Sequence, residues 1–464
     1  MAACIKLPRL RKWIGMKNQG YKAFIAVFCI TCTTWIGTTA YAAPDAAAIF
    51  AAAEKFTVKV RSKIEYPHFD DRKGVFLGAG FIVDRERGWI ATNAHVIGRN
   101  PSEIKIRFKG GDYLFAKPVY IDDFIDFAVI GIAPDELPTY ATAAKIDCGE
   151  PPVAGSAVGA FGHPHDLDYS GTRGIVSGRQ YKWHRDWVQT DAAINAGNSG
   201  GALIDLTTGS VIGMNTAGLS RDRSDGIGFA IPSLHFCAVL DRLGKDLDPN
   251  PPIIPLELSL DHERETGINV MRVYSDAGVQ WKILEGDRIV GIENPASKYG
   301  AFKKLETAAD LITTLRGIGE DNPVIIVERS KRKIKIAVEV KRTGYMLEQR
   351  YLYFSGATVS KTIFKDDETK NPKGFLLIHD IRDESKARIA GLRAFDLIRS
   401  VDGRHFTSID ALKDYLQTRG SKEITMNVHR RSWSVSSKST YILKKFEIEE
   451  IKLMQAGSST SSTK

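Results

Sequence analysis

Three side chains of this sequence could together perform nucleophilic catalysis: His95, Asp126 and Ser199. A serine hydroxyl is too weakly acidic to attack a substrate unaided, so an imidazole has to accept its proton. A carboxylate then has to orient that imidazole and stabilise its charged form. These three residue types therefore predict acyl transfer through a serine nucleophile.

Ser199 lies in a glycine-rich stretch, Gly197-Asn198-Ser199-Gly200-Gly201. A serine among glycines can be exposed on a tight turn where backbone N–H groups converge on one point. The same string matches G-x-S-x-G, the nucleophile elbow of α/β-hydrolases, which needs a helix after the serine and the order Ser, Asp, His. Here strand and turn residues follow the serine and both partners lie upstream, which favours the order of the chymotrypsin-type triad.

The two partners lie at the ends of predicted strands. His95 follows a strand that begins at Trp89, and Asp126 directly precedes a strand over Phe127 to Ile132. Asp122 and Asp123 compete with Asp126 for the orienting role, and a solvated acidic turn is the alternative interpretation of all three. The ordered trio on a β-rich background favours catalysis.

The pattern from Phe56 to Pro232 predicts a β-rich domain. Short apolar and β-branched runs are broken by Gly, Asp and Asn without regular helices between them, which is typical of an all-β barrel or sandwich. A helix is predicted before this region, over 45–55, and another after it, over 233–243. The proline-rich stretch 246–255 then predicts a linker.

The rest of the chain contains an internal repeat. Two segments share one order of elements: a β-run, a turn ending in aspartate, a β-run, a helix and further β-runs. Such periodicity indicates a duplicated small domain. The predicted boundaries are 43–248 for the catalytic domain, 249–255 for the linker, 256–342 and 350–447 for the duplicated domains, and 448–464 for a partly disordered tail.

The N-terminus reads as an export signal over residues 1–42. Basic residues lead into the apolar stretch 23–35, and Ala40-Tyr41-Ala42 fits an A-x-A cleavage pattern. We expect a periplasmic or otherwise exported protein, or a membrane-anchored one if the signal is not cleaved. Six basic residues precede Asp45, the first acidic one, and account for most of the +9 net charge. Nucleic acid is therefore not expected as a partner.

Two of the five cysteines, Cys148 and Cys237, lie beyond this N-terminal segment. They could form one disulfide in an oxidising compartment, or they could be small buried hydrophobic residues. Neither has a CxxC or metal-like spacing. No metal site and no cofactor are expected.

Several blocks of the sequence resemble the HtrA/Deg family of trypsin-like serine proteases. The blocks that carry the resemblance are 78–82, 92–96, 126–130 and 190–203, and 226–232 is similar to the family's closing strand. The two repeats resemble the family's PDZ domains. Their candidate carboxylate-binding loops are the stretches 255–258 and 353–356.

The resemblance implies a mainly β fold: a chymotrypsin-like double β-barrel protease domain followed by two PDZ-like domains. The triad would lie in the cleft between the barrels. The backbone N–H groups of Gly197 and Ser199 would form the oxyanion hole. The substrate-binding residues that line the specificity pocket would be Ala193, Ile194, Thr216, Ala217 and Gly218. None of them has an acidic side chain that could bind a Lys or Arg of the substrate.

The resemblance also implies a function. Members of the family are exported, ATP-independent serine endopeptidases that degrade misfolded or damaged proteins. They assemble as homotrimers or higher multiples, and their PDZ domains bind C-terminal peptides by strand addition. The alternative is a non-proteolytic chaperone or scaffold acting through the PDZ-like domains, against which the intact triad argues. The charged and aromatic segment 179–187 is expected to switch the oxyanion loop, or else to be an ordinary exposed hairpin.

Overall fold

The structure is a computed structural model. It describes residues 45–67, 71–99, 102–164, 167–182, 185–218, 226–259, 267–274, 278–293, 302–318, 322–344, 346–361, 376–430 and 440–455. The signal segment 1–42 and the last residues of the tail lie outside these ranges. Within them, no helix has both the length and the apolar character needed to cross a membrane.

The first β-barrel follows a short helix, α1 (Ala46–Glu54), whose N-cap Asp45 accepts the N–H of Ala47 at 3.0 Å. Alternating residues bury one face of the strand Ser102–Arg107, as expected for a sheet that closes on itself around a core. Its strands are β1 (Thr57–Ile64), β2 (Gly74–Asp84), β3 (Trp89–Thr92), β4 (Ser102–Arg107), β5 (Tyr113–Asp122) and β6 (Phe127–Gly131), in the order β1-β2-β3-β6-β5-β4. The short helix α2 (Ala94–Ile97) follows β3.

The second β-barrel closes in the same manner and ends in helix α3 (Ser233–Gly244). Its strands are β7 (Ala157–Gly162), β8 (Ser170–Lys182), β9 (Arg185–Thr190), β10 (Ala202–Asp205), β11 (Val211–Gly218) and β12 (Gly228–Pro232), in the order β10-β11-β12-β9-β8-β7. The two barrels confirm the double-barrel fold expected from the resemblance. Strand β10 after Ser199 also excludes the helix that a nucleophile elbow requires.

One hydrophobic cluster extends through both barrels and α3, and a second lies within the second barrel. Phe236 of α3 stacks on Phe127 of β6 with a centroid distance of 5.3 Å. A disulfide joins Cys148, before β7, to Cys237 of α3. The bond resolves the two alternatives left open for these cysteines and ties α3 to the segment between the barrels.

A third sheet follows the linker. It is antiparallel and contains β13 (Leu256–Leu258), β14 (Ile268–Val273), β15 (Arg288–Glu293), β16 (Phe302–Lys304), β17 (Val324–Arg329) and β18 (Arg332–Ala337). The order is β13-β14-β15-β17-β18, with β16 pairing separately with β15. Helix α4 (Ala308–Gly317) begins with a capping box formed by Thr307 and Asp310 and buries its apolar face in this domain's core.

The fourth sheet repeats this plan and adds strands to it. Its members are β19 (Arg350–Phe354), β20 (Ala357–Lys361), β21 (Leu376–Ile381), β22 (Leu397–Val401), β23 (Glu423–Arg430), β24 (Thr440–Glu447) and β25 (Lys452–Gln455), in the order β24-β23-β22-β21-β20-β19-β25. The helices are α5 (Lys386–Ile389) and α6 (Ile409–Arg419). The sheet extends past residue 447, the end expected for this domain, because β25 pairs with β19.

Candidate active site

His95 and Asp126 lie side by side at one end of the first barrel. Strands β3 and β6 are paired with Thr92 opposite Ala128, so the residues that follow one strand and precede the other come together. The Nδ1 atom of His95 lies 2.7 Å from Oδ2 of Asp126, and its backbone N–H donates to Oδ1 at 3.0 Å. The imidazole is 39% exposed, whereas the carboxylate is buried. This arrangement suits a base held by a buried carboxylate.

Asp126 has a backbone conformation that its neighbours stabilise. Its φ of 55° is in the left-handed region, which few non-glycine residues adopt. Its carbonyl accepts the Nδ2 of Asn93 at 2.9 Å and the N–H of Ala94 at 3.2 Å. The hydroxyl of Thr216 donates to its Oδ2 at 3.0 Å. Residues of the first barrel thus hold the backbone of Asp126, and a residue of the second barrel holds its carboxylate.

The two competing aspartates have other partners. Asp122 accepts the N–H of Ile125 through Oδ1 at 3.1 Å, and its Oδ2 lies 2.6 Å from Arg316. Asp123 pairs with Arg99. The geometry therefore favours Asp126 as the orienting carboxylate.

The pair His95 and Asp126 shifts the pKa of both members. Burial lowers the pKa of His95, but the attraction and hydrogen bond of Asp126 together raise it by more, to above its ordinary 6.5. Burial raises the pKa of Asp126, but the charge and hydrogen bonds of His95 and the charge of Arg99 together outweigh burial and hold this pKa below its ordinary 3.8. A charged carboxylate beside the imidazole stabilises the imidazolium that forms when the base takes a proton.

Ser199 lies on a turn between β9 and β10, against the first barrel. The N–H of Ala79 in β2 donates to the Ser199 carbonyl at 2.8 Å. A Cβ atom at Gly78 would lie 2.9 Å from that carbonyl oxygen and 2.7 Å from Val96 Cγ1. The glycine before Ala79 therefore permits the close approach of the two barrels at the cleft.

The hydroxyl of Ser199 donates to the backbone carbonyl of Thr216 at 2.8 Å. Among the described residues His95 is not its hydrogen-bond partner. The hydroxyl has to turn away from Thr216 before the imidazole can accept its proton. Catalytic hydrogen bonds are often unformed before substrate binds, so this geometry does not exclude the serine.

Gly197 and Ser199 leave two backbone N–H groups available beside the hydroxyl. Neither group donates to an acceptor within the described ranges. Gly197 has a φ of 100°, and a Cβ there would clash with the carbonyl of His163, whose own N–H donates to the Gly197 carbonyl at 3.2 Å. Only glycine fits this turn. Two free donors flanking a serine can stabilise an oxyanion.

The expected pocket residues have different surroundings. The side chain of Ile194 lies against Gly228, where a Cβ would be 2.8 Å from Ile194 Cδ1. The carbonyl of Ala193 accepts the Thr172 hydroxyl at 3.0 Å. Gly218 pairs with Gly228 across β11 and β12, and Ala217 pairs with Phe229.

Thr216 has a role that sequence reasoning missed. It was expected to form a pocket wall, but its hydroxyl supports Asp126 and its carbonyl holds Ser199. Asn93 was likewise seen only as part of a motif, although its side chain holds the Asp126 carbonyl. The one sequence signal for Asn93 is its place in the block 92–96, two residues before His95. Thr216 lies 90 residues from Asp126 and carried no such signal.

The β8–β9 hairpin links the candidate site to the third sheet. Arg179 donates to Asp186 at 2.8 Å, and Asp186 also lies 3.1 Å from His235 Nε2 of α3. The other ring nitrogen of His235 lies 2.6 Å from the Thr313 hydroxyl of α4. Arg185 donates to the carbonyls of 123 and 124, just before Asp126. Residues 183 and 184 at the hairpin tip lie outside the described ranges.

Within the described ranges, no group of three or more His, Cys, Asp or Glu side chains is placed to hold a metal ion. The chemistry available from the residues themselves is proton transfer by an imidazole, nucleophilic attack by a hydroxyl and stabilisation of an oxyanion by two N–H groups.

Comparison with known proteins identifies two domain families. A trypsin-like peptidase domain matches residues 78–214, and a PDZ domain matches residues 377–430. The first match contains His95, Asp126 and Ser199. The second covers β21 to β23 and leaves β19, β20 and β25 outside it.

Relatives with similar architecture are known. A periplasmic serine endoprotease DegP of Escherichia coli K12 is 41% identical over 382 residues, which cover 77% of this chain and 75% of that protein. A probable serine protease do-like of Buchnera aphidicola is 28% identical over 386 residues, covering 78% and 77%. Among solved structures, the HtrA-type protease AlgW with tripeptide is 27% identical, covers 65% of this chain and 98% of that one, and has a TM-score of 0.50.

Proposed function

The chain belongs to the HtrA/Deg family of trypsin-like serine proteases with C-terminal PDZ domains, and on that premise we propose that it degrades misfolded or damaged proteins in the periplasm without ATP. It is a serine-type endopeptidase. Its Escherichia coli relative is named periplasmic, which supports the same location here. The proposed substrates are unfolded polypeptides, and the proposed assembly is a homotrimer or a multiple of it.

The proposed mechanism uses His95, Asp126 and Ser199. The Ser199 hydroxyl attacks the substrate carbonyl while His95 takes its proton, and Asp126 stabilises the resulting imidazolium. The N–H groups of Gly197 and Ser199 bind the oxyanion of the tetrahedral intermediate. His95 then protonates the leaving amine, and water, activated by the same imidazole, hydrolyses the acyl-enzyme. The 2.7 Å contact between His95 and Asp126 is the observation that carries this proposal.

The proposed domains follow the sequence boundaries except at the end of the second PDZ-like domain, which starts at residue 350 and is extended to include β25. Residues 43–248 form the protease domain. Residues 256–342 form a first PDZ-like domain, whose third sheet and helix α4 have the same plan as the fourth sheet and its helix α6 in the second PDZ-like domain. The alternative of a non-proteolytic scaffold gains no support from the site.

Replacement of Ser199 with Ala tests the proposal. We expect Ser199→Ala to abolish casein cleavage and labelling by a fluorophosphonate, while the fold and the oligomer are retained, because the three residues act as a unit. Ser421→Ala, in an exposed turn before β23, is the matched control and should keep both activities. Casein cleavage by Ser199→Ala close to that of the unaltered chain would refute the assignment.

A further inference from the structure

The two repeated sheets differ at one edge. In the first, β13 is an end strand and pairs with β14; within the described ranges no other strand pairs with it. The corresponding strand of the second sheet, β20, pairs with β21 in the same way. Beyond β20, however, two additional strands continue the sheet, β19 and then β25. Equivalent edges are thus open in one domain and covered in the other.

Strand β19 covers the edge that helix α6 flanks. It pairs antiparallel with β20, with Leu352 opposite Val359, and packs against α6. Arg350 of β19 donates two hydrogen bonds to Asp410 of α6, at 2.7 and 2.9 Å. PDZ domains receive an extended peptide as an added strand on an exposed sheet edge. On β20 that position is filled from within the chain.

The expected carboxylate-binding loop of this domain is a hairpin turn instead. Tyr353 and Phe354 belong to β19, and the turn to β20 is made by Ser355 and Gly356. The N–H of Ser355 donates to the Glu449 carbonyl at 2.6 Å, and its hydroxyl accepts the Glu449 N–H at 2.9 Å. The candidate carboxylate-binding loop 353–356 is thus engaged by a residue just before β25.

Strand β25 occupies the outer edge of β19. It is antiparallel to β19, with Met454 opposite Tyr351 and Leu453 opposite Leu352. Leu453 packs against the core of the domain. Met454 is buried in a separate cluster with three tyrosines, Tyr66, Tyr351 and Tyr353. Successive side chains of this strand point to opposite faces of the sheet and thus fill two different apolar sites.

The tyrosine cluster fastens β25 to the protease domain. Tyr66 follows β1 of the first barrel, and its ring lies 5.0 Å from that of Tyr353 in an edge-to-face contact. The ammonium group of Lys452 in β25 donates to the Tyr66 hydroxyl and lies 5.1 Å from the ring centroid. The strand therefore contacts both the PDZ sheet and the barrel.

We propose that the second PDZ-like domain is closed to outside peptides from within the chain: β19 fills the added-strand position on β20, and β25 is a resident strand added to β19 that clasps the C-terminal region against the first barrel. This inference concerns the domain that matches the PDZ family model. It rests on the proposed function only in the expectation that PDZ-like domains of this protein bind peptides. The open edge at β13 leaves the first PDZ-like domain available to peptides.

Peptide binding in trans tests the proposal. The probe is a fluorescein-labelled synthetic peptide of residues 450–456, amidated so that carboxylate recognition does not contribute. Binding is measured by anisotropy in chains that carry Ser199→Ala, so the result is independent of proteolysis. We expect a chain ending at Glu449 to bind the probe at least tenfold more tightly than the full chain. Deletion of 457–464 alone is the matched control and should bind like the full chain.

A second variant covers the case in which the shortened chain does not fold. The full-length L453D/M454D variant should release β25 and bind the same probe at least tenfold more tightly, while a probe carrying both substitutions should bind neither protein. In the unaltered chain, hydrogen exchange should show the amides of 452–455 protected together with β19. Equal affinity of the full and shortened chains, or failure of both altered proteins to bind, would overturn the proposal.

Discussion

The carboxylate of Asp122 lies 2.6 Å from the guanidinium of Arg316, and both side chains are buried. Asp122 ends β5 of the first barrel, whereas Arg316 lies in the last turn of α4 beside the third sheet. The second carboxylate oxygen of Asp122 accepts the N–H of Ile125, immediately before Asp126. A buried ion pair thus connects the third-sheet domain to the loop that carries the candidate catalytic aspartate.

Replacement of Arg316 with Met should destabilise the protein and reduce its activity. Removal of one partner leaves a buried charge uncompensated, which costs about 3–5 kcal/mol. We expect the apparent free energy of unfolding in urea to fall by that order, and kcat/KM to fall because the loop before Asp126 is released. The Asp122→Asn/Arg316→Met variant should recover much of the stability. A double variant as unstable as the sum of the singles would contradict this coupling.

The pH dependence of cleavage should report the His95–Asp126 pair. Protonated imidazole cannot accept the serine proton, so kcat/KM should rise with pH through the pKa of His95. Because the net shift raises that pKa, the midpoint should lie above 6.5. Asp126→Asn should lower the midpoint and reduce kcat by about 10⁴-fold, whereas Asp135→Asn, in the short 3₁₀ turn 134–136, should change neither. A midpoint unmoved in Asp126→Asn would argue against the pair.

Cleavage should follow apolar residues rather than Lys or Arg. The expected pocket places Ile194 against Gly228, and the nearby Asp191 carboxylate accepts the N–H of Ile175 at 2.6 Å. None of the five expected pocket residues, Ala193, Ile194, Thr216, Ala217 and Gly218, has an acidic side chain to bind a basic substrate residue. Mass mapping of casein fragments should show aliphatic cleavage sites, which shift toward larger side chains in Ile194→Ala. A predominance of Lys or Arg sites would refute the pocket assignment.

The resting protease should be activated by a peptide that orders the oxyanion loop. The Ser199 hydroxyl is engaged with Thr216, and the β8–β9 hairpin connects α4 to the residues before Asp126. One missing oxyanion donor costs about 2.7–4 kcal/mol, so ordering could change the rate a hundredfold or more. Cleavage of a small chromogenic peptide should rise when a peptide with a hydrophobic C-terminus is added.

Two variants locate this switch. Tyr181→Ala, in the hairpin, should reduce the activation, whereas Tyr113→Ala, at an exposed position on the first barrel, should leave it unchanged. Equal rates with and without the activator in all three proteins would leave the switch without support.

Local patterns predicted much of the fold correctly. The helices expected over 45–55 and 233–243 are Ala46–Glu54 and Ser233–Gly244. His95 follows a strand and Ser199 is followed by one, as predicted. Amphipathic periodicity, turn residues and helix caps involve neighbours within a few positions, so the chain itself carries this information.

Other features depended on residues far apart in the chain. The sequence left three aspartates as candidates, and the contacts of Asp122 with Arg316 and of Asp126 with Thr216 distinguish two of them. The disulfide was one of two alternatives until Cys148 and Cys237, 89 residues apart, were seen to be bonded. Residues 452–455 were assigned to a tail because four residues cannot indicate which distant strand edge they will cover.

The sequence by itself determined the candidate catalytic residues and their order, the β-rich class and the repeat in the C-terminal half of the chain. Tertiary structure alone decided which carboxylate orients His95, how Thr216 supports it, and which PDZ-like edge is already occupied. The physical reason is that hydrogen bonds, ion pairs and strand addition act over a few ångströms, and only the folded chain brings such separated groups within that range.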